Sequence, residues 1–140
     1  MDLRAGYQIE DPDVFVRWGI TEVQLQALLP AAVHVTTGYF AIDCISLSGL
    51  SHALGFHFYP SRNGVLYELR LFRRSSSRVD LAESFHEFQE HLEATFGPPM
   101  RRSAADEGFA RYGWQFGDVS VRHLVFDREI PEERVRITRS

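Results

Sequence analysis

The run Leu54-Gly55-Phe56-His57-Phe58-Tyr59-Pro60-Ser61-Arg62-Asn63-Gly64-Val65-Leu66-Tyr67-Glu68-Leu69-Arg70-Leu71-Phe72 decides how this chain folds. Asn63-Gly64 near its centre is the preferred pair for a two-residue type I′ hairpin, because both positions need φ > 0. On that reading Arg62 pairs with Val65, Phe58 faces Leu69 and Phe56 faces Leu71. On the other side His57 faces Arg70 and Tyr59 faces Glu68. One face is apolar and the other mixed, as a half-buried antiparallel sheet requires.

Working outward, Tyr39–Leu47 reads as the preceding strand, joined through Ser48-Gly49. With Ile42 and Cys44 on the face of Phe56 and Phe58, Asp43 stands beside His57 and His57 beside Arg70. Leu66, Phe72, Ile45 and Leu47 fall on that same polar side. Val33–Thr36 and Val14–Trp18 read as further strands, the second at an edge. Phe109–Phe116 and Val119–Phe126 form another hairpin across Gly117-Asp118, with Tyr112 opposite His123, Trp114 opposite Val121 and Phe116 opposite Val119. Glu133–Thr138 alternates Val135 and Ile137 with Arg134 and Arg136 and reads as a last strand.

Two helices complete the pattern. Over residues 21–29, Thr21 as N-cap and Gln24 three residues on make a capping box, and Ile20 can staple against Leu25. Leu25, Leu28 and Leu29 form its buried stripe, and Pro30 stops it. Over residues 79–96, Leu81, Phe85, Phe88, Leu92 and Phe96 make one continuous helical stripe, ended by Gly97 and Pro98-Pro99. Glu83, Glu87, Glu90 and Glu93 decorate its other sides. The expectation is an α+β fold in one domain: a mostly antiparallel twisted sheet of about six to seven strands, both helices packed on one face. Residues 100–108 read as a polar loop.

At 140 residues the chain is long enough to bury about two-thirds of its unfolded surface. A net charge of −4 argues against a general nucleic-acid binder. No stretch of eighteen apolar residues occurs, and Met1-Asp2-Leu3-Arg4 lacks an apolar signal core, so a soluble cytoplasmic protein without a membrane span is expected. A single cysteine, Cys44, leaves no internal disulfide and no thiolate cluster. All 15 basic residues are Arg, a usage associated with GC-rich bacterial genomes. Without lysine there is no Schiff base, no Ser-Lys dyad and no P-loop.

His86-Glu87-Phe88-Gln89-Glu90-His91 superficially suggests a zinc helix, but its histidines are five apart where a metal face needs four. A solvated face with His86–Glu90 and Glu87–His91 as neighbours is the expectation. No metal and no cofactor follow from any spacing here. The basic cluster Arg70, Arg73, Arg74 and Arg78 matches no RNA-binding signature. The constellation that carries chemistry is Asp43, His57 and Arg70, flanked by Tyr39, Tyr59, Glu68. Cross-strand pairing brings such side chains within about 5 Å. A carboxylate there would hold the histidine as an acid or a base.

Trp18-Gly19 before a short helix, a Phe-rich hairpin, a helix ending in Phe96-Gly97-Pro98-Pro99 and a Trp114-bearing hairpin together resemble small bacterial α+β domains of the toxin-immunity type and other α+β domains without assigned roles. That resemblance, with the missing catalytic motifs, implies a non-enzymatic protein-binding module with a protein partner. A homodimer is left open. The alternative is a small-ligand-binding protein or small enzyme with its site on the Asp43/His57/Arg70 face.

Overall fold

The computed structural model describes residues 1–59, 64–74, 79–104, 108–126 and 131–140, Tyr59 by its backbone alone. The order is β1 (Gly6–Ile9), β2 (Val14–Arg17), α1 (Glu22–Leu28), β3 (Val33–Thr36), β4 (Tyr39–Ser46), β5 (Leu50–Tyr59), β6 (Val65–Phe72), α2 (Leu81–Phe96), β7 (Arg101–Ser103), β8 (Arg111–Phe116), β9 (Val119–Phe126) and β10 (Glu132–Arg139). The fold is α+β and mostly antiparallel. It carries ten strands in two sheets, not six or seven: a β1–β2 hairpin and an eight-stranded sheet ordered β3-β4-β5-β6-β10-β9-β8-β7. β1 carries Tyr7 and Ile9 in a stretch with no strand expected, and β7 falls inside the expected polar loop.

The β5–β6 hairpin differs from the tight-turn expectation. Phe56 pairs with Leu69, His57 with Glu68 and Gly55 with Arg70, a shift of two residues, and Tyr59 pairs with Val65. The link therefore spans residues 60–64, of which Gly64 has the expected positive φ of 67° while Asn63 and Arg62 lie outside the described residues. Pro60 offers no N–H to a ladder, so a strand running on to Arg62 was never chemically sound. An even shift leaves each side chain on its own face. Phe56, Phe58, Leu69 and Leu71 are accordingly all buried in one core. A bulge between His57 and Phe58 reverses the parity at the turn end, so Leu66 pairs with Phe58 and joins that core, not the polar face.

Both helices contribute to the same core cluster. Thr21 and Gln24 form the capping box. Leu25 and Leu29 are buried while Leu28 is 41% exposed, so the stripe is narrower than expected. α2 buries Phe85, Phe88 and Leu92 and is capped by Asp80. Burying a large apolar side chain is worth about 1.5–3 kcal/mol, which makes this stripe the main attachment of α2.

The β4–β5 turn is held from outside. Leu47, Ser48 and Gly49 all have positive φ. The Glu10 carboxylate accepts from the Ser48 and Gly49 amides at 2.8 and 2.9 Å, and Nδ1 of His91 donates to the Leu47 carbonyl at 2.8 Å. Leu47 is thereby fully buried, off the polar face. The second hairpin keeps the expected register, Tyr112 with His123, Trp114 with Val121 and Phe116 with Val119. It extends the main sheet and does not fold back over it.

Candidate functional site

Strand periodicity sends alternate residues to opposite faces. One face of the large sheet meets α2; on the other, Arg122, Gln115 and Arg101 are exposed, Arg70, Arg136 and Thr138 are partly exposed, and Ala41, Ala53 and Glu68 are buried. Following pairs from strand to strand, one rung of that open face runs Val33, Ala41, Gly55, Arg70, Arg136, Arg122, Gly113, Arg101, crossing all eight strands. The next rung runs Tyr39, His57, Glu68, Thr138, Ser120, Gln115. Four arginines therefore share one line on a protein whose net charge is −4.

Glu68 anchors the middle. It is 1% exposed and accepts from Arg70 Nε at 2.7 Å, from Arg136 at 2.6 and 3.2 Å, and from the Thr138 hydroxyl at 3.2 Å. Burial pushes its carboxyl upward, but the two guanidiniums outweigh burial and hold it below the ordinary value. One carboxylate thus serves two arginines, each about 40% exposed, with further N–H groups facing solvent.

His57 stacks on Tyr39 with centroids 4.5 Å apart. Tyr39 lies flat on Gly55, where an added Cβ would meet its ring at 2.6 Å. That glycine is required by close approach. Burial, reinforced by Arg70, lowers the His57 imidazole to about 4 against the opposing pull of Glu68. It is neutral at pH 7. Its Nε2 is shut off from water and is the sole buried side-chain nitrogen or oxygen without a partner among the described residues.

The sequence-derived set is thus partly assembled. His57, Glu68 and Arg70 gather, with Glu68 and not Arg70 opposite His57. Asp43 does not join them: it pairs with Ala53 and its carboxylate takes Arg74 Nε at 2.9 Å. The two-residue shift in the first hairpin and the pairing of Tyr39 with His57 account for its absence. Tyr59 pairs with Val65, and its side chain lies outside the described residues. Arg73 bonds Ser84 at 2.7 Å, also pairs with Glu87, and covers the Phe88 ring, so the Glu87 carboxylate is engaged by Arg73 while His91 bonds the Leu47 carbonyl. Arg78 lies outside the described residues. His86 does pair with Glu90, at 2.9 Å. Among the described residues no three His, Cys, Asp or Glu side chains cluster as a metal would need.

Sequence reading missed Arg136, Arg122 and Arg101 as companions of Arg70. The alternation in β10 was legible, but nothing local says that β10 inserts beside β6. That pairing stops at Leu71↔Val135, though β6 continues to Phe72 and β10 begins at Glu132. At this fork a cleft of about 770 Å³ opens, lined by Tyr39, His57, Arg70 and Phe72 with Arg134 and Arg136, and by Leu81 and Ser84 of α2.

Behind the fork lies a buried polar chain. Gln89 gives its amide nitrogen to Glu93 and so presents its oxygen to His123 Nδ1 at 2.8 Å. His123 Nε2 is 2.6 Å from Glu133, with one proton between them, and Glu133 also accepts from the Ser84 hydroxyl. Burial lowers the His123 imidazole, with Glu133 opposing. Since the carboxylate and not the histidine holds Ser84, this is no nucleophile–base pair. A second chain, Tyr7 to Ser46 at 2.6 Å and Ser46 to His52 Nε2 at 2.5 Å, is also fully enclosed. Burial lowers His52, whose Nδ1 donates to the Ala53 carbonyl. Cys44 is buried and its thiol is pushed up to about 12, so it is unreactive at neutral pH.

Fold and site together define an α+β domain with one sheet face packed and the other open and cationic. No protein-family model matches the chain. No curated protein matches it. Among solved structures, the crystal structure of a DUF4309 family protein (YjgB) from Bacillus subtilis subsp. subtilis str. 168 is similar at a TM-score of 0.45 and 14% identity, covering 86% of this chain and 78% of that one. A likeness at that level carries no argument. No helix among the described residues is long and apolar enough to cross a membrane.

Proposed function

We propose that this chain is a non-enzymatic protein-binding module of a GC-rich bacterium, acting in the cytoplasm, with the open sheet face as its binding surface. Neutralising a toxin is the specific form of this role that its style of sequence suggests. The observation that carries the reading is the eight-stranded face itself. The second hairpin widens the sheet instead of folding over this face, and the N-terminal segment contributes Tyr7 and Ile9 to the core side. Eight strands at about 4.8 Å spacing make a surface nearly 40 Å wide, enough for the roughly 800 Å² a standard interface takes from each partner. Arginine and aromatic residues, which dominate interface energetics, are its prominent side chains.

The test is affinity capture from the native host with the wild-type chain and with Ser120→Trp, which puts a bulky ring on the face between Thr138 and Gln115. A protein retained by the wild type and lost with a folded Ser120→Trp supports the reading. Equal retention by both removes it.

A second reading has its own observation. The cleft at the β6–β10 fork holds Tyr39, His57 and Arg70, the polar groups a small-ligand site would need, within the volume range of such sites. Ligand screening by thermal shift against wild type and Arg70→Ala checks it; a hit indifferent to Arg70→Ala would place the ligand elsewhere.

A further inference from the structure

The arginine rung has an energetic oddity. Like charges directly opposite across strands are destabilising. Arg70↔Arg136 is compensated by Glu68, but Arg136↔Arg122 has no carboxylate between its members. Arg122 and Arg101 are exposed and have no ionic or hydrogen-bond partner among the described residues. Between them Gly113 leaves a gap in the rung, forming a dimple of about 60 Å³ that Arg101 and Arg122 both line. Four guanidiniums with one carboxylate among them, two of the four unpaired, leave a line of excess positive charge held by the sheet that anions would neutralise. At one strand spacing per step, Arg70 to Arg101 spans roughly 19 Å, far longer than a single small ion.

Resting on the proposed binding role of this face, we infer that the rung recognises an acidic polypeptide segment, its carboxylates taken by Arg70, Arg136, Arg122 and Arg101. The guanidinium fork fits a carboxylate through two parallel hydrogen bonds. Aspartate or glutamate one helical turn apart, at about 4.5–6 Å, matches the step between neighbouring strands. A nucleic acid fits less well, because single strands bind by stacking bases on open aromatic rings. Here Tyr39 is stacked on His57, Phe72 lies under Arg74 and Phe126 under Arg134, whose guanidinium is 4.4 Å from the ring centre.

A fluorescein-labelled deca-glutamate peptide, followed by fluorescence anisotropy at low and moderate salt, tests this. Saturable, salt-sensitive binding to the wild type is expected, weakened at least tenfold in Arg101→Glu/Arg122→Glu. Arg101→Gln/Arg122→Gln, with half the change in charge, should lose less. Arg4→Glu/Arg17→Glu makes the same charge change away from the rung and should lose under threefold. Absence of binding at low salt, or equal loss in the control pair, overturns the inference. So does tighter binding of a twenty-nucleotide oligothymidylate or of phosphatidylserine vesicles, or an effect of the peptide only through self-association of the chain. The two layers separate cleanly. A host protein lost with Ser120→Trp but kept by Arg101→Glu/Arg122→Glu would leave the binding face and sink the acidic-segment inference; peptide binding with no captured host protein supports the inference and counts against the wider role.

Discussion

Replacing Glu68 by alanine removes the acceptor of four hydrogen bonds and leaves two guanidiniums facing one another. Both arginines reach solvent, so the cost should be about 1–3 kcal/mol and not the larger penalty of a wholly buried pair, read as a lower urea midpoint. The same carboxyl sets an acid limit. Because the folded state holds it below its unfolded value near 4.5, its stabilisation is full above that pH and fades as pH falls through the folded value. His57 acts in a higher window. Its imidazole falls from 6.5 to about 4 on folding, so between those pH values the unfolded chain binds the extra proton and stability falls on acidification. Denaturation midpoints measured from pH 7 to pH 4 should drop less steeply in His57→Gln than in the wild type, and equal slopes would contradict the assignment. Gly55→Ala should cost about 1–3 kcal/mol through the clash with Tyr39, and Tyr39→Leu in the same chain should return most of it.

At the scale of elements, α2 is fastened by its Phe85-Phe88-Leu92 stripe, so Phe88→Ala should cost about 3–5 kcal/mol by thermal or chemical unfolding. Leu25→Ala should cost about 2–5 kcal/mol, while Leu28→Ala should be near neutral because that side chain is 41% exposed. Both helices and the second hairpin were legible because their signals are local: a capping box, a continuous 3.6-period stripe, a Gly117-Asp118 turn between alternating runs. The first hairpin was only half legible. Alternation sorted its faces correctly, and the shift of two left that sorting intact. Register depended on the turn, where Pro60 competed with Asn63-Gly64, and on a bulge that no residue pattern announces. β1 and β7 were missed because four- and three-residue strands give too few alternations to stand out.

For the whole molecule, the decisive fact is which strand lies next to which. Insertion of β10 between β6 and β9 sets Arg136 beside Arg70 and Arg122, creates the fork and its cleft, and merges two hairpin systems into one sheet. That long-range choice is not encoded in any local window, which is why His57, Glu68 and Arg70 were legible as a group while the rung was not. Four arginines with Glu68 among them lie on the open sheet face, while Glu83, Glu87, Glu90 and Glu93 belong to α2. The most direct measurement uses the silence of Cys44, which lets an introduced thiol be read alone. In Gln115→Cys, maleimide should label the new side chain quickly in the free protein and slowly once a captured host protein is bound. Slow labelling of the free protein, or labelling that binding leaves unchanged, would contradict an open face that exists to be covered by a partner.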